Sequence, residues 1–229
     1  MTQLMVRLVL FDIDGTLLHT GGAGRKAFRH AFGTAFGVSN GTEGIEFAGR
    51  TDTSIVRELF LKHSVDHSNE NLHRFFDTYY FWLDHILHNS EGNECPFVRE
   101  FIHSLKSLPN PPTLGLLTGN VRLGAEIKLR HYGLWEEFCT GGFGDDHENR
   151  GEIAKVARSR GSEMLGHRLA GDEILVIGDT PLDVACARAI SARCLAVATG
   201  HSPVTELESH SPTWAVRDLS CIEAREVCS

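Results

Sequence analysis

Two aspartates, Asp12 and Asp14, stand where an apolar run gives way to glycine in residues 6–17, VRLVLFDIDGTL. Six apolar-dominated residues bounded by a turn suit a buried strand better than a helix. The carboxylates then lie just past the strand's carboxyl end, which in an open α/β sheet is where ligands bind. Burying two acids beside an apolar strand is costly unless a cation stands between them. Mg²⁺, a hard ion suited to Asp oxygens, meets that need. The same residues also suit a surface turn, since Asp and Gly favour turns for local reasons. A calcium loop does not fit: counting from Asp12, position six is Leu17 rather than Gly and position twelve is Ala23 rather than Glu.

Two later segments are built the same way. Residues 114–118, LGLLT, run into Thr118-Gly119-Asn120, and residues 173–177, EILVI, run into Gly178-Asp179-Thr180-Pro181-Leu182-Asp183. In a parallel sheet the three strand ends share one edge, so their polar residues can meet in one crevice. The combination fits phosphoryl transfer. One carboxylate attacks phosphorus, and a second protonates the leaving oxygen and later activates water. A metal and fixed donors neutralise the transferring group. Thr118 can donate to a phosphate oxygen, and the Gly119 and Asn120 amides at a helix start can join it; a helix-capping role for Thr118 is the simpler alternative. Gly119 to Gly124 has the glycine spacing of a nucleotide P-loop, but Ala125-Glu126 replaces its Lys-Ser/Thr, which rules that loop out.

The elements that must position these residues follow from periodicity. Residues 23–36 carry Ala27, Phe28, Ala31, Phe32 and Ala35 at helical spacing. Further helices are expected from Asp52, from a Ser68 cap to about His88, and from Pro96 to about Leu108. The aromatic block from Phe75 to Trp82 reads first as the core of a small helical bundle and second as a pocket lining. After residue 91 strands and helices alternate: strands at 114–118, 138–140, 173–177, 193–198 and 214–216, and helices at 121–132 (with Asn120 as cap), 151–160 and 181–190. Alternation with short loops implies a parallel sheet covered on both faces. The expected fold is therefore α/β, a Rossmann-like parallel sheet with helices on both faces, interrupted by an all-helical insert. The core domain takes residues 1–17 and 92–229, the insert residues 18–91. Three glycines among residues 21–24 mark a hinge between them.

The bulk numbers fit an ordinary globular chain of 229 residues, 41% hydrophobic and 23% charged, which argues against disorder. A net charge of -8 disfavours a nucleic-acid surface, which needs clustered cations. No run reaches the ~20 apolar residues of a membrane span, and residues 1–15 lack a signal-peptide pattern. Six scattered cysteines without a CxxC pair suggest reduced thiols and a cytoplasmic setting.

The motifs DIDGT at Asp12, LLTGN ending at Asn120 and GDTPLD from Gly178, in this order and at this wide spacing, resemble the haloacid dehalogenase superfamily over essentially the whole chain. The resemblance is to its phosphatase branch with a helical cap, of the phosphoglycolate phosphatase-like kind. It implies Asp12 as nucleophile and Asp14 as acid/base. It also implies Mg²⁺ held by Asp12, the Asp14 backbone carbonyl and Asp179, with Asp183 supporting the metal shell or orienting a basic residue. The insert matches the family's cap, and Gly49-Arg50-Thr51-Asp52 its specificity loop, so Arg50 is a candidate substrate contact; an exposed charge near a helix start is the other reading of Arg50. The basic third motif, usually Lys, is here Arg150 in Asn149-Arg150-Gly151-Glu152, with Lys155 as runner-up. Arg keeps the charge and can grip two phosphate oxygens. Family members that cleave carbon–halogen or carbon–phosphorus bonds lack the second acid of the first motif, so Asp14 points to a phosphate ester. The expected activity is Mg²⁺-dependent hydrolysis of a small phosphorylated metabolite through an aspartyl-phosphate; the alternatives are a phosphomutase on the same scaffold and a phospho-ligand-binding protein without turnover.

Overall fold

The computed structural model describes residues 5–229; residues 1–4, part of the expected first core segment and of the stretch read for a signal peptide, lie outside it. Six strands form one sheet in the order β5-β4-β1-β6-β7-β8. They are β1 (Leu8–Phe11), β4 (Thr113–Leu117), β5 (Thr140–Gly142), β6 (Ile174–Gly178), β7 (Arg193–Val197) and β8 (Trp214–Val216). All neighbours pair in parallel. The four inner strands are buried on both faces while edge strand β8 is half-buried, and side chains alternate between two cores as the pleat requires. Val9, Phe11, Leu175 and Ile177 enter one core; Leu8, Leu10, Ile174 and Val176 enter the other. Helix α4 (Val98–Lys106), α5 (Arg122–His131) and α9 (Ala224–Cys228) contribute to the first, while α6 (Arg150–Leu165), α7 (Pro181–Ala189) and α8 (Val204–Ser209) contribute to the second. Each fully buried Leu, Ile or Phe contributes about 1.5–3 kcal/mol relative to exposure.

Strand order reverses at β1. The chain leaves it for β4 and β5 on one side, then returns for β6 on the other. That switch point opens a crevice at the strands' carboxyl ends, and Asp12, Thr118 and Asp179 follow the three central strands directly.

Between β2 (Leu18–His19) and β3 (Asn93–Glu94), which pair antiparallel, lie α1 (Ala23–Phe36), α2 (Asp52–Lys62) and α3 (Asn69–Leu87). Thr51 caps α2 and Ser68 caps α3. Their shared core holds Phe28, Phe32, Phe60, Phe75 and Tyr79, and it extends onto Val121 at the start of α5. Phe75, Tyr79 and Leu83 are buried as a bundle core requires, whereas Phe81 is 66% exposed.

Several expectations shift. The β2–β3 ribbon was not legible, because two-residue strands carry no periodic signal. The strand placed at 138–140 runs at Thr140–Gly142, because the 3-10 turn Trp135–Glu137 still holds the Phe138 N–H on the Trp135 carbonyl and Phe138 packs against Phe11 instead of pairing. The helix expected from Pro96 starts at Val98, after Phe97 in a left-handed conformation at φ 63°. Asn120 does not cap α5; Val121 takes that position, and the Asn120 side chain is used elsewhere. Among the described residues no helix is long and apolar enough to cross a membrane, and all six cysteines are free.

Candidate active site

Three carboxylates converge at the crevice. Asp12 continues β1, its N–H donating to the Ile177 carbonyl at 2.9 Å. Asp179 follows β6, and Asp183 lies in the first turn of α7. Each is nearly fully buried, and one oxygen from each lies within 4.8 Å of the other two. Thr16 donates to Asp179 Oδ1 at 3.0 Å. Thr180 donates to Asp183 Oδ2 through its N–H at 3.0 Å and its hydroxyl at 2.7 Å. Glycines let the backbone close around Asp179: a Cβ on Gly15, where φ is +88°, would stand 2.4 Å from Asp179 Oδ2, and one on Gly200 1.7 Å.

One guanidinium serves this cluster. Arg150 opens α6 beside its cap Asn149. Its Nη2 donates to Asp183 Oδ1 and lies 3.5 Å from Asp12 Oδ1, and its Nη1 donates to the Gly49 carbonyl at 3.0 Å. Three buried acids against one cation leave a deficit. Burial pushes Asp12 up to about 7, with Arg150 opposing and Asp183 and Asp14 adding to the rise. Burial, then Asp183 and Asp12, push Asp179 up to about 8. Asp12 Oδ1 has no hydrogen-bond partner among the described residues. An all-oxygen, buried, under-neutralised cluster with an orphaned carboxylate oxygen fits a hard divalent cation of the Mg²⁺ type.

The other acid is treated differently. Asp14, two residues on, presents a side chain 45% exposed to the cavity, yet it is clamped. Lys128 Nζ donates to its Oδ1 at 2.8 Å and Oδ2 at 2.6 Å, and to Asn120 Oδ1 at 2.6 Å. Asn120 Nδ2 donates to Asp14 Oδ2 and to Thr118 Oγ1, each at 2.8 Å. Burial would raise the Asp14 pKa, but Lys128, Asn120 and His19 outweigh it and hold the carboxyl below its ordinary value.

The helical insert closes the crevice from above. The Asp52 N–H donates to the Gly119 carbonyl at 2.8 Å, and Asp52 Oδ2 accepts from the Val121 N–H at 2.9 Å. Thr53 donates to the Gly144 carbonyl at 2.8 Å, and Arg57 to Glu148 at 2.8 Å. Gly119 is a close-approach position, where a Cβ would lie 2.2 Å from the Arg50 carbonyl oxygen. Between insert and sheet remains a cavity of about 700 Å³, lined by Asp12, Asp14 and Thr118 below and by Arg25, Phe47 and Tyr79 above.

The structure therefore gathers Asp12, Asp14, Thr118, Gly119, Asn120, Arg150, Asp179 and Asp183 around one cavity or its immediate floor. Lys155 is not among them: it is exposed and paired with Glu152 at 2.7 Å. Arg50 lines the cavity, but its guanidinium is committed within the insert, to Glu58 at 2.5 Å and to the Glu46 carbonyl at 3.2 Å. Three residues were missed. Thr16 and Asp52 lie inside motifs read for other members. Lys128 carried a usable signal: it falls on the buried face of α5 with Gly124, Ala125 and Leu129. A lysine on an apolar stripe needs a buried partner.

Comparison with known proteins agrees with this geometry. The family model described as haloacid dehalogenase-like hydrolase matches residues 9–197. A Clostridium perfringens protein with the provisional name pyrophosphatase PpaX is 26% identical over 216 residues, 93% of each chain. The solved structure of a HAD hydrolase, family IA, variant 3, from Entamoeba histolytica superposes with a TM-score of 0.74 at 19% identity, covering 97% of this chain and 98% of that one. A Thermotoga maritima structure provisionally named β-phosphoglucomutase gives 0.60 at 20% identity, covering 97% of each.

Proposed function

The chain belongs to the haloacid dehalogenase-like hydrolase family, and on that footing we propose that it is a Mg²⁺-dependent phosphatase acting on a small phosphorylated metabolite. The observation that carries the reading is the under-neutralised cluster of Asp12, Asp179 and Asp183, with a separately clamped carboxylate, Asp14, two residues from the first. In this reading Asp12, Asp179 and the Asp14 carbonyl hold the metal, which when bound supplies positive charge to the phosphoryl oxygens.

The residues do the rest. The Asp12 carboxylate attacks phosphorus through its other oxygen, forming an acyl phosphate as the bond to the leaving oxygen breaks. Asp14, which Lys128 holds ionised in the free protein, takes up a proton as the negatively charged phosphate enters beside it and passes that proton to the leaving oxygen. Water then attacks the phosphorus, Asp14 takes a proton from it, and the P–O bond to Asp12 breaks, releasing inorganic phosphate and restoring the Asp12 carboxylate. The Thr118 hydroxyl and the Gly119 amide serve the phosphoryl oxygens in this reading; the Asn120 N–H instead donates to Thr118 Oγ1 at 3.2 Å and holds that hydroxyl in place. Arg150 takes the place of the family's third-motif lysine, oriented by Asp183, and its bond to the Gly49 carbonyl ties it to the insert. The insert acts as a cap over core residues 1–17 and 92–229 and excludes bulk water during chemistry. Arg50 acts through the loop it braces. The name of the Clostridium perfringens relative puts pyrophosphate beside phosphoglycolate-like and sugar phosphates as substrates to try.

The test is inorganic phosphate release from p-nitrophenyl phosphate with Mg²⁺, with chelator, and with Asp12→Asn. Turnover that requires both metal and Asp12 supports the reading. Metal-dependent release that survives Asp12→Asn overturns the aspartyl-phosphate route.

A further inference from the structure

Resting on that reading, we propose that Lys128 is the positioning residue for Asp14: it sets where the acid/base carboxyl stands, and both half-reactions depend on it. The Asp14 side chain is 45% exposed, so packing does not fix it. Its side-chain hydrogen bonds among the described residues come from Lys128 and from Asn120. Lys128 is the larger share, with contacts to both carboxylate oxygens from an ammonium whose own side chain is only 4% exposed.

The cost of that ammonium argues for use rather than packing. A charge buried in α5 is expensive, and an apolar residue of similar volume on the same stripe would be as stable or more so. Nor is there spare freedom in the group. The same nitrogen reaches Asn120 Oδ1, and Asn120 Nδ2 reaches Asp14 Oδ2, so ammonium and amide hold the acid/base together; Thr118 Oγ1 keeps its own bond from the Asn120 N–H at 3.2 Å and does not depend on Lys128 for its place. Opposite it, cap residue Asp52 is buried and feels the Lys128 charge as the strongest influence opposing its burial. Lys128 thus stands between the core carboxylate that handles the proton and the cap residue seated on the Val121 amide. Asp12 and Asp179 make no contact with it; their cation is Arg150.

The two half-reactions separate this role from a scaffolding one. With p-nitrophenyl phosphate the leaving group needs no proton, so kcat/KM reports attack by Asp12 alone, while kcat also includes acyl-phosphate hydrolysis, which needs Asp14 as base. With an alkyl phosphate such as glycerol 2-phosphate, kcat/KM also needs Asp14 as acid. Lys128→Met should therefore keep aryl kcat/KM within about threefold. It should lower aryl kcat and alkyl kcat/KM by about 100-fold, the scale of a general acid–base contribution. A stoichiometric burst of p-nitrophenol should precede the slow steady state. Ethylamine should restore aryl kcat in Lys128→Ala by filling the vacated space with an ammonium. Lys128→Gln, neutral and close in shape, carries the same split if the Met variant does not fold. A parallel fall of aryl and alkyl kcat/KM, or no fall in either, overturns the proposal. Loss of all turnover from the wild-type protein, or turnover indifferent to Asp12→Asn, instead overturns the phosphatase reading beneath it.

Discussion

The cavity floor has two acidic ends, and they are neutralised in opposite ways. At one end Asp12, Asp179 and Asp183 are buried around a single guanidinium, and burial with mutual repulsion drives Asp12 and Asp179 upward. At the other end Asp14 is half open to the cavity, yet it is matched by Lys128 and held below its ordinary pKa. A single residue, Ile13, separates Asp12 from Asp14. The first end is built for a cation brought from outside, the second for a carboxylate whose charge is already answered. In the proposed reaction that asymmetry is what would let one acid attack phosphorus beside a metal while its neighbour handles protons.

The largest effect should come from breaking the first end. Asp12→Asn is expected to lower phosphate release by about 10⁴-fold or more, since members of a catalytic unit fail together when the nucleophile goes. Steady-state release from p-nitrophenyl phosphate under saturating Mg²⁺ measures it. A loss below tenfold would mean that Asp12 is not the nucleophile.

Metal removal sharpens the comparison next. Mg²⁺ at a hundredfold excess over its Kd should stabilise the fold by about 2.7 kcal/mol, read by thermal unfolding with and without chelator. Asp179→Asn should reduce that gain strongly. Lys128→Gln should leave it intact, because Lys128 serves only the second end. Equal losses in the two variants would merge the ends into one site.

How much of this was legible in the sequence follows from the range of each interaction. The strands and seven of the eight residues around the crevice rest on local pattern, an apolar run broken by Asp, Thr or Gly, and the strand order with its switch at β1, which no local pattern encodes, brings them together. Arg150 was readable only through the family resemblance, as the stand-in for the third-motif lysine, and its place at the start of a helix favoured it over Lys155. Lys128 was not read, because its partner Asp14 is 114 residues away and only its place on the buried stripe of α5 marks it. The sequence marks Asp52 only as a helix start beside the loop that carries Arg50, whereas in the structure it seats the insert on α5. That bond joins a helix start to a backbone amide 69 residues on, and spacing does not encode it.

A smaller effect is expected where the insert meets the core. At Gly119 an added Cβ would stand 2.2 Å from the Arg50 carbonyl oxygen and 3.1 Å from Thr51 Cα, both backbone atoms. Gly119→Ala should cost about 1–3 kcal/mol of stability, the usual range for overpacking, and should raise KM by displacing the insert. Denaturant unfolding and steady-state kinetics measure the two. An unchanged KM would show that the insert seats without this approach.

The smallest predicted effect concerns Asp52, a buried acid that belongs to neither end. Its pKa is raised from 3.8 to about 7, chiefly by burial, with Lys128 and the Val121 amide opposing. A folded-state pKa above the unfolded one means the unfolded chain releases its proton first as pH rises. The stabilising contribution is then complete below pH 3.8, declines through the interval up to about 7 and is gone above it. Asp52→Asn keeps an oxygen to accept from Val121 and removes the ionisation. The variant should match the wild type at pH 4 and exceed it at pH 8 by about 1 kcal/mol, a Tm rise of about 2–4 °C. Thermal unfolding at the two pH values, both with chelator present, isolates it from the metal end. A variant less stable than wild type at pH 8 would show that the Asp52 charge is used against Lys128, extending the matched end of the cavity into the insert.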